Sequence, residues 1–416
     1  MIIAILTPHA LRAQEPVPEL GSRQIISVRD LGDVFKSIFG KKSDSTKPKK
    51  EPSGVAILPS IGYNPSFGFV LGAKVAAGLQ RGDPATTSYS TIGLEFLITS
   101  KGILTAQAIH NIFTKDNQYN IQGNWQLSRF AIVDYGVGTG AGSHGGDGFV
   151  INEYPVVDAD SSYPIKYTYV RLNEKVYRKI APHWFAGGGV SLNMYRNIDV
   201  EKQSDSFDTP HQKYNLAYGY NPDKYSANGI LFALQFNTRE HPIRSYGGIY
   251  ADINIRFNQR WMGSTKNAVQ FQYDLRKYFS LSKKNPEHVF ALWHWASYLL
   301  SGSLPYLEMP STGSDSYKRS GRAYTIGRFK GPSYSYAEME WRFPITRDKL
   351  LSGVTFFNLQ TSSDGTGDGL YRAFDKGGGV GLRILFKKQS RSTLCIDFSQ
   401  GQYGSSGIFF GLNEVF

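Results

Sequence analysis

Cysteine is nearly missing. Cys395 stands alone in 416 residues, which excludes a disulfide framework and any multi-cysteine zinc or iron–sulfur site. Long apolar runs are missing too. The longest candidate, Val289 to Leu300, is shorter than the roughly 18 residues of a helical membrane span and contains His294. The nucleophile pattern Gly-x-Ser-x-Gly does not occur, and Gly404-Ser405-Ser406-Gly407 lacks its spacing. The 8 histidines are scattered, with no metal-ligand spacing on a shared element, so neither a metal nor a cofactor is expected. What is abundant is Gly (44), Tyr (26) and Phe (26), under a negative mean hydropathy and a net charge of +12. That mixture suits a transmembrane β-barrel. A large soluble β-protein would fit it as well.

The N-terminus carries an address. Residues Ile2 to Leu6 are apolar, and Ala10-Leu11-Arg12-Ala13 before Gln14 has the form of an export-signal cleavage region, so 1–13 is expected to be removed. Over 14–53 the spacing of Val28, Leu31, Phe35 and Ile38 predicts a short amphipathic helix across 28–39. A solvated basic linker follows, Lys41 to Pro52, with five Lys against Asp44 and Glu51.

After Gly54 the period becomes two. Ile249, Ala251, Ile253, Ile255 and Phe257 alternate with polar residues, as do Ala337, Met339, Trp341 and Phe343. Strands of about ten residues with one apolar face match the length that crosses a bilayer when tilted. Sixteen strands are expected between Phe67 and Phe416, with short turns at Ser100–Gly102, Ser128–Phe130, 179–183, 239–246, 282–287, 346–348 and 387–391. The long connections, 143–163, 196–226, 303–333 and 362–376, all fall in the other set. Sorting by parity is the mark of a barrel with short periplasmic turns and long outer loops. Both termini are then periplasmic. Alternate glycines at Gly136, Gly138, Gly140 and Gly142 suggest a small-residue strand face. Ile408, Phe410 and Leu412 alternate toward a C-terminal Phe416, which reads as an assembly signal on the last strand.

Leu58-Pro59-Ser60-Ile61-Gly62-Tyr63-Asn64-Pro65 and the residues to Gly72 resemble the opening of the barrel in the BamA/TamA-type outer-membrane superfamily, the surface-antigen barrels. Gly321-Arg322-Ala323-Tyr324, with Gly327-Arg328-Phe329-Lys330-Gly331, resembles that family's signature loop. The strand Ala337 to Ile345 and the closing hairpin Arg391 to Phe416 are similar to the segments that follow it. The resemblance implies a 16-stranded antiparallel transmembrane β-barrel over 54–416, in the outer membrane of a Gram-negative-type bacterium, with an inward-folded long loop. It implies a part in inserting or translocating proteins or lipids through a weak first/last-strand seam, and no enzymatic activity. Three departures stand out. Ala323 replaces a Gly, Asn358 stands where the family has Asp, and 14–53 is too short for a periplasmic POTRA domain. A barrel-only member is therefore expected.

Chemistry narrows the loop's role. A guanidinium in a walled lumen gains from a carboxylate, so Arg322 is expected to pin the loop, with Glu340 as first partner and Glu338, Asn358 and Asp397 as others. A mobile surface loop whose Arg meets lipopolysaccharide phosphate is the alternative. Gly68 and Gly72 on the expected first strand, and Gly407 on the last, point to a loose seam. The partners expected are outer-membrane lipids, lipopolysaccharide, and unfolded outer-membrane proteins or a periplasmic protein, with no nucleic acid. A passive or gated pore is the second reading and an outer-membrane lipase the third.

Overall fold

The structure is a computed structural model that describes residues 28–39, 55–64, 68–139, 150–151, 154–155, 163–201, 209–316, 318–388 and 390–416. The expected export signal, the basic linker and the glycines at 140 and 142 lie outside these residues. The strands in chain order are β1 Val55–Asn64, β2 Gly68–Leu79, β3 Ser90–Thr99, β4 Leu104–Phe113, β5 Tyr119–Asp134 and β6 Tyr163–Ala181. They continue as β7 Trp184–Val200, β8 Tyr225–Asn237, β9 Gly248–Asn258, β10 Ala268–Ser280 and β11 Val289–Gly302. The last five are β12 Tyr334–Pro344, β13 Leu351–Ser362, β14 Asp375–Lys387, β15 Ser392–Gly401 and β16 Ser406–Leu412. Each pairs antiparallel with its sequence neighbour in one 16-stranded sheet. The edge strands β1 and β16 end up beside each other, with Cα atoms within 8 Å.

The sheet is inside out. On β12, Glu338, Glu340 and Arg342 are buried while Ala337, Met339 and Trp341 are exposed. On β13 and β15, Asn358, Gln360 and Asp397 are buried while Phe357 and Phe398 are exposed. In water such a face would be a large apolar patch without a partner. Against hydrocarbon it is the stable arrangement, because consecutive strands pair their backbone groups from β1 through β16 and the apolar face meets lipid.

Two turns differ from the sequence expectation. Ser128–Phe130 is not a turn but the middle of β5, and Ser100–Gly102 connects β3 to β4 on the rim that carries the long loops. Fifteen strands, not sixteen, follow residue 67, and β1 at Val55–Asn64 completes the set. The reason lies in three side chains. Ser128 turns inward to Thr105 (2.9 Å), Arg129 points out on the apolar face, and Phe130 turns inward against Tyr167. A cation outside and a ring inside invert the local pattern and mimic a break. From β5 onward parity holds: connections 135–162, 201–224, 303–333 and 363–374 share one rim. Gly136 and Gly138 do not extend a strand. They follow β5 with φ of 85° and 110°, and Gly138 bridges to Lys330.

Helix α1, Leu31–Phe39, covers most of the expected span and sits at the short-turn rim. Asp33 pairs with Lys388 at 2.8 Å, and the Arg29 amide donates to the Asp348 carbonyl at 3.0 Å. Helix α2, Pro210–Ala217, lies in a long loop at the opposite rim. Thr209 and Gln212 form its capping box. Its Tyr214 packs with Tyr220, Tyr225 and Tyr306 in one buried cluster.

Candidate functional site: the inward loop and its carboxylate cradle

Connection 303–333 folds between the walls instead of over the rim. Tight turns steer it: Gly321, Ala323 and Gly327 take φ of 79°, 92° and 77°. The alanine is the costly one, because a Cβ at such a φ stores about 1–3 kcal/mol that the surroundings must hold. Ala323 is buried, and its carbonyl accepts from Ser405 Oγ at 2.5 Å. Tyr324 is held on both sides of its hydroxyl, by the Lys376 carbonyl and by the Gln402 amide at 2.8 Å. Its ring meets the fully buried Phe329 edge-on at 4.9 Å. The Arg328 guanidinium lies 4.1 Å from the Tyr135 ring centroid. At the loop's far end Lys330 and Asp134 form a buried pair at 2.5 Å, and Tyr306 adds a hydrogen bond at 2.9 Å.

Arg322 is gripped from three walls. Its guanidinium reaches Glu338 and Glu340 (2.5 Å) on β12 and Asp397 (3.2 Å) on β15, and stacks 3.6 Å from the Phe356 ring centroid on β13. Its carbonyl accepts from Asn358 Nδ2 at 3.0 Å. The neutral bond therefore stands where the family has a carboxylate. Burial works against the cation, but Glu338, Glu340 and Asp397 outweigh it and hold the Arg322 pKa well above its ordinary value.

The cradle extends further than the sequence suggested. Arg342 binds Glu340 (2.6 Å), and Arg383 binds Asp397 and Glu414 (2.8 Å). Arg244, from the short turn after β8, lies 3.2 Å from Glu414 and 2.8 Å from Glu287. Four guanidiniums (Arg244, Arg322, Arg342, Arg383) thus interleave with five carboxylates (Glu287, Glu338, Glu340, Asp397, Glu414), all buried. Arg342 and Arg383 stood on the polar faces of their strands, so period-two spacing placed them inside. Nothing local marked Arg244 or Glu414, which meet only when the sheet curls round.

The C-terminus departs from the alternation expected of it. Ile408 and Phe410 face outward and are exposed, but the strand stops at Leu412, and Asn413 takes φ of 69°. The tail then enters the interior. Glu414 is buried among Arg383, Arg342 and Arg244, which overcome its burial and hold its carboxyl well below the usual carboxylate range. Phe416 is buried too, stacked on Trp293 at 5.3 Å, and its carbonyl accepts from Arg342 at 2.7 Å. Arg319 of the inward loop donates to the carbonyls of Leu412 (2.7 Å), Asn413 (3.3 Å) and Glu414. Loop and tail are locked together.

The seam glycines are also reassigned. Gly68 and Gly72 lie on β2, between β1 and β3, so they do not border the last strand. A Cβ on Gly72 would meet the Phe96 carbonyl at 2.2 Å, and Gly68 sits at φ 73° against Ser100. They serve strand packing and a turn. Gly407 does lie on β16. His294, on the outward face, lies 3.0 Å from Ser335 Oγ. Its second ring nitrogen meets the Tyr273 hydroxyl at 3.5 Å, and no carboxylate bonds the ring among the described residues.

A family model, the Omp85 superfamily domain, matches residues 71–387. The chain belongs to the Omp85 superfamily. Solved relatives agree on the fold. A Haemophilus ducreyi BamA lacking POTRA domains 1–3 is similar over 88% of this chain and 70% of its own, with TM-score 0.52 and 13% identity. CdiB from Escherichia coli (TM-score 0.54, 8% identity) and from Acinetobacter baumannii (0.50, 11%) cover 88% and 86% of this chain. This chain spans 63% and 59% of those two proteins. No curated protein matches the sequence. Omp85 barrels are bacterial outer-membrane proteins, and an inside-out sheet is what that environment requires.

Proposed function

We propose that this Omp85 chain closes into a 16-stranded outer-membrane barrel and passes or inserts substrate chains at the junction of β1 and β16. The observation that carries this reading is the open seam. β1, Val55–Asn64, and β16, Ser406–Leu412, lie side by side with Cα atoms within 8 Å, yet no hydrogen-bonded ladder joins them among the described residues. An unpaired strand edge is a template for β-augmentation. Pro59 lies within β1, where a residue without an N–H is tolerated only at an edge or bulge. The four-residue tail that could have lengthened β16 is spent on the interior clamp instead.

A plain pore is the weaker reading, because the inward loop, α2 and the tyrosine cluster occupy the interior. A lipase is weaker still, because Ser335 is buried and its histidine lacks an orienting carboxylate. The test uses liposomes holding the purified protein with Cys395 replaced, scanned for cysteine pairs joining 55–64 to 406–412. Oxidation of the pair that locks the seam should abolish acceleration of client-barrel folding and leave ion conductance unchanged. Unaltered folding after complete cross-linking would remove the seam from the mechanism and leave a gated pore.

A further inference from the structure

Two cations on the outward face have no protein partner among the described residues. Arg129 on β5 and Lys166 on β6 are exposed on the outward face, and neither makes a hydrogen bond or ion pair to the described residues. Strand register shows what surrounds them. Leu71, Ile98, Leu104, Arg129, Thr168 and Arg196 form one continuous cross-strand row over β2 to β7. The next row toward the bilayer centre runs Ala73, Phe96, Ala106 and Leu127. Its two alanines leave a groove of about 750 Å³ between the larger side chains, and Arg129 and Thr168 close one end of it.

Two other charges lie nearby, Arg196 and Asp199. The Arg196 guanidinium is committed to the carbonyls of Tyr195 and Tyr225, both at 2.8 Å. Asp199 stands across from Lys166 but forms no ion pair with it. A cation on the lipid face is costly unless it finds water or an anion. An apolar groove ending in a free guanidinium offers both halves of an amphiphile's binding site.

We propose that this groove is a binding site for one outer-leaflet lipid, a phosphorylated glycolipid of the lipopolysaccharide type. Acyl chains lie along Leu71, Phe96, Ile98 and Leu104. One phosphate is held by Arg129 and the Thr168 hydroxyl, and Lys166 lies one diagonal step away for a second. Diagonal cross-strand neighbours are about 7–8 Å apart, so Arg129 and Lys166 present two separate positive sites, which suits a headgroup carrying two phosphates better than one carrying a single phosphate. The assignment rests on the long-loop rim facing the outer leaflet. Labelling at residue 364 in intact cells decides that orientation separately, so a missing site and a reversed protein give different results.

The test measures lipid retained after detergent washing, by native mass spectrometry. The probe is purified diphosphorylated lipopolysaccharide lipid, compared with its dephosphorylated form and with phosphatidylglycerol. Wild type should retain the diphosphorylated lipid, and Arg129→Gln/Lys166→Gln should retain roughly tenfold to thirtyfold less, at about one kcal/mol per surface cation. Arg129→Lys should keep part of the binding, and Lys115→Gln, exposed on the opposite rim, should keep all of it. Heat-modifiable gel mobility verifies that each variant is folded. Equal retention by the double variant overturns the site. Equal retention of phosphatidylglycerol or of the dephosphorylated lipid overturns the glycolipid assignment.

Discussion

Arg322 shows how much one side chain can organise. Three carboxylates from two strands converge on it, so its loss leaves like charges together in a place where water is scarce. Breaking a buried pair from one side costs about 3–5 kcal/mol. Arg322→Ala should therefore free the loop without unfolding the sheet, giving single-channel traces with larger or noisier conductance than wild type. Arg322→Lys should not restore quiet traces, because one ammonium cannot fork to three acids. Traces identical to wild type in Arg322→Ala would count against a pinned loop.

His211 carries a second residue-scale consequence. It is buried at the start of α2, bonded to Tyr225 at 3.1 Å and to Asn215 at 2.9 Å. Burial lowers its pKa from 6.5 to about 4; Asp134 opposes the shift and Lys330 adds to it. Above pH 6.5 neither the folded nor the unfolded chain protonates this ring, and its contribution is whole. Between pH 6.5 and about 4 only the unfolded chain takes the proton, so stability falls, by up to about 3 kcal/mol. Below that the loss levels off. Thermal unfolding in detergent across this range should show the decline, and His211→Gln should flatten it. A slope unchanged in the variant would assign the acid sensitivity to other groups.

At the scale of elements, the tail and the loop act as one part. Arg319 ties them through backbone carbonyls, while Arg383, Arg342 and Arg244 tie Glu414 to three further segments. Replacing Glu414 by Ala leaves those guanidiniums facing one another without their shared anion, and the tail should leave the interior. Carboxypeptidase should then remove Phe416 from the variant under conditions that spare wild type. A resistant variant would mean that the stacking of Phe416 on Trp293 holds the tail unaided. The consequence for the seam is direct, because a released tail is free to lengthen β16 along β1.

At the scale of the whole molecule, the antiparallel order and the rim shared by 135–162, 201–224, 303–333 and 363–374 fix which connections travel together. Tags at Asp364 should react with impermeant reagents on intact cells, and tags at Lys283–Lys284 should not. Labelling of the second set alone would reverse the orientation.

The sequence by itself determined the class of the fold, because an outward lipid face and an inward polar face must alternate residue by residue, and period two is written along the chain. It also carried the inward-facing acids of β12 and β15, for the same reason. It misled where a side chain broke the pattern without breaking the strand, as at Ser128–Phe130, and where a strand ended without losing its alternation, as at Leu412. Only the tertiary structure decided that Val55–Asn64 is the edge strand, that Asn413 turns the tail inward, and that Arg244 meets Glu414. Those outcomes depend on which strands become neighbours after the sheet curls round, and on charges far apart in sequence competing for the same buried partners. Neither is a local property of the chain.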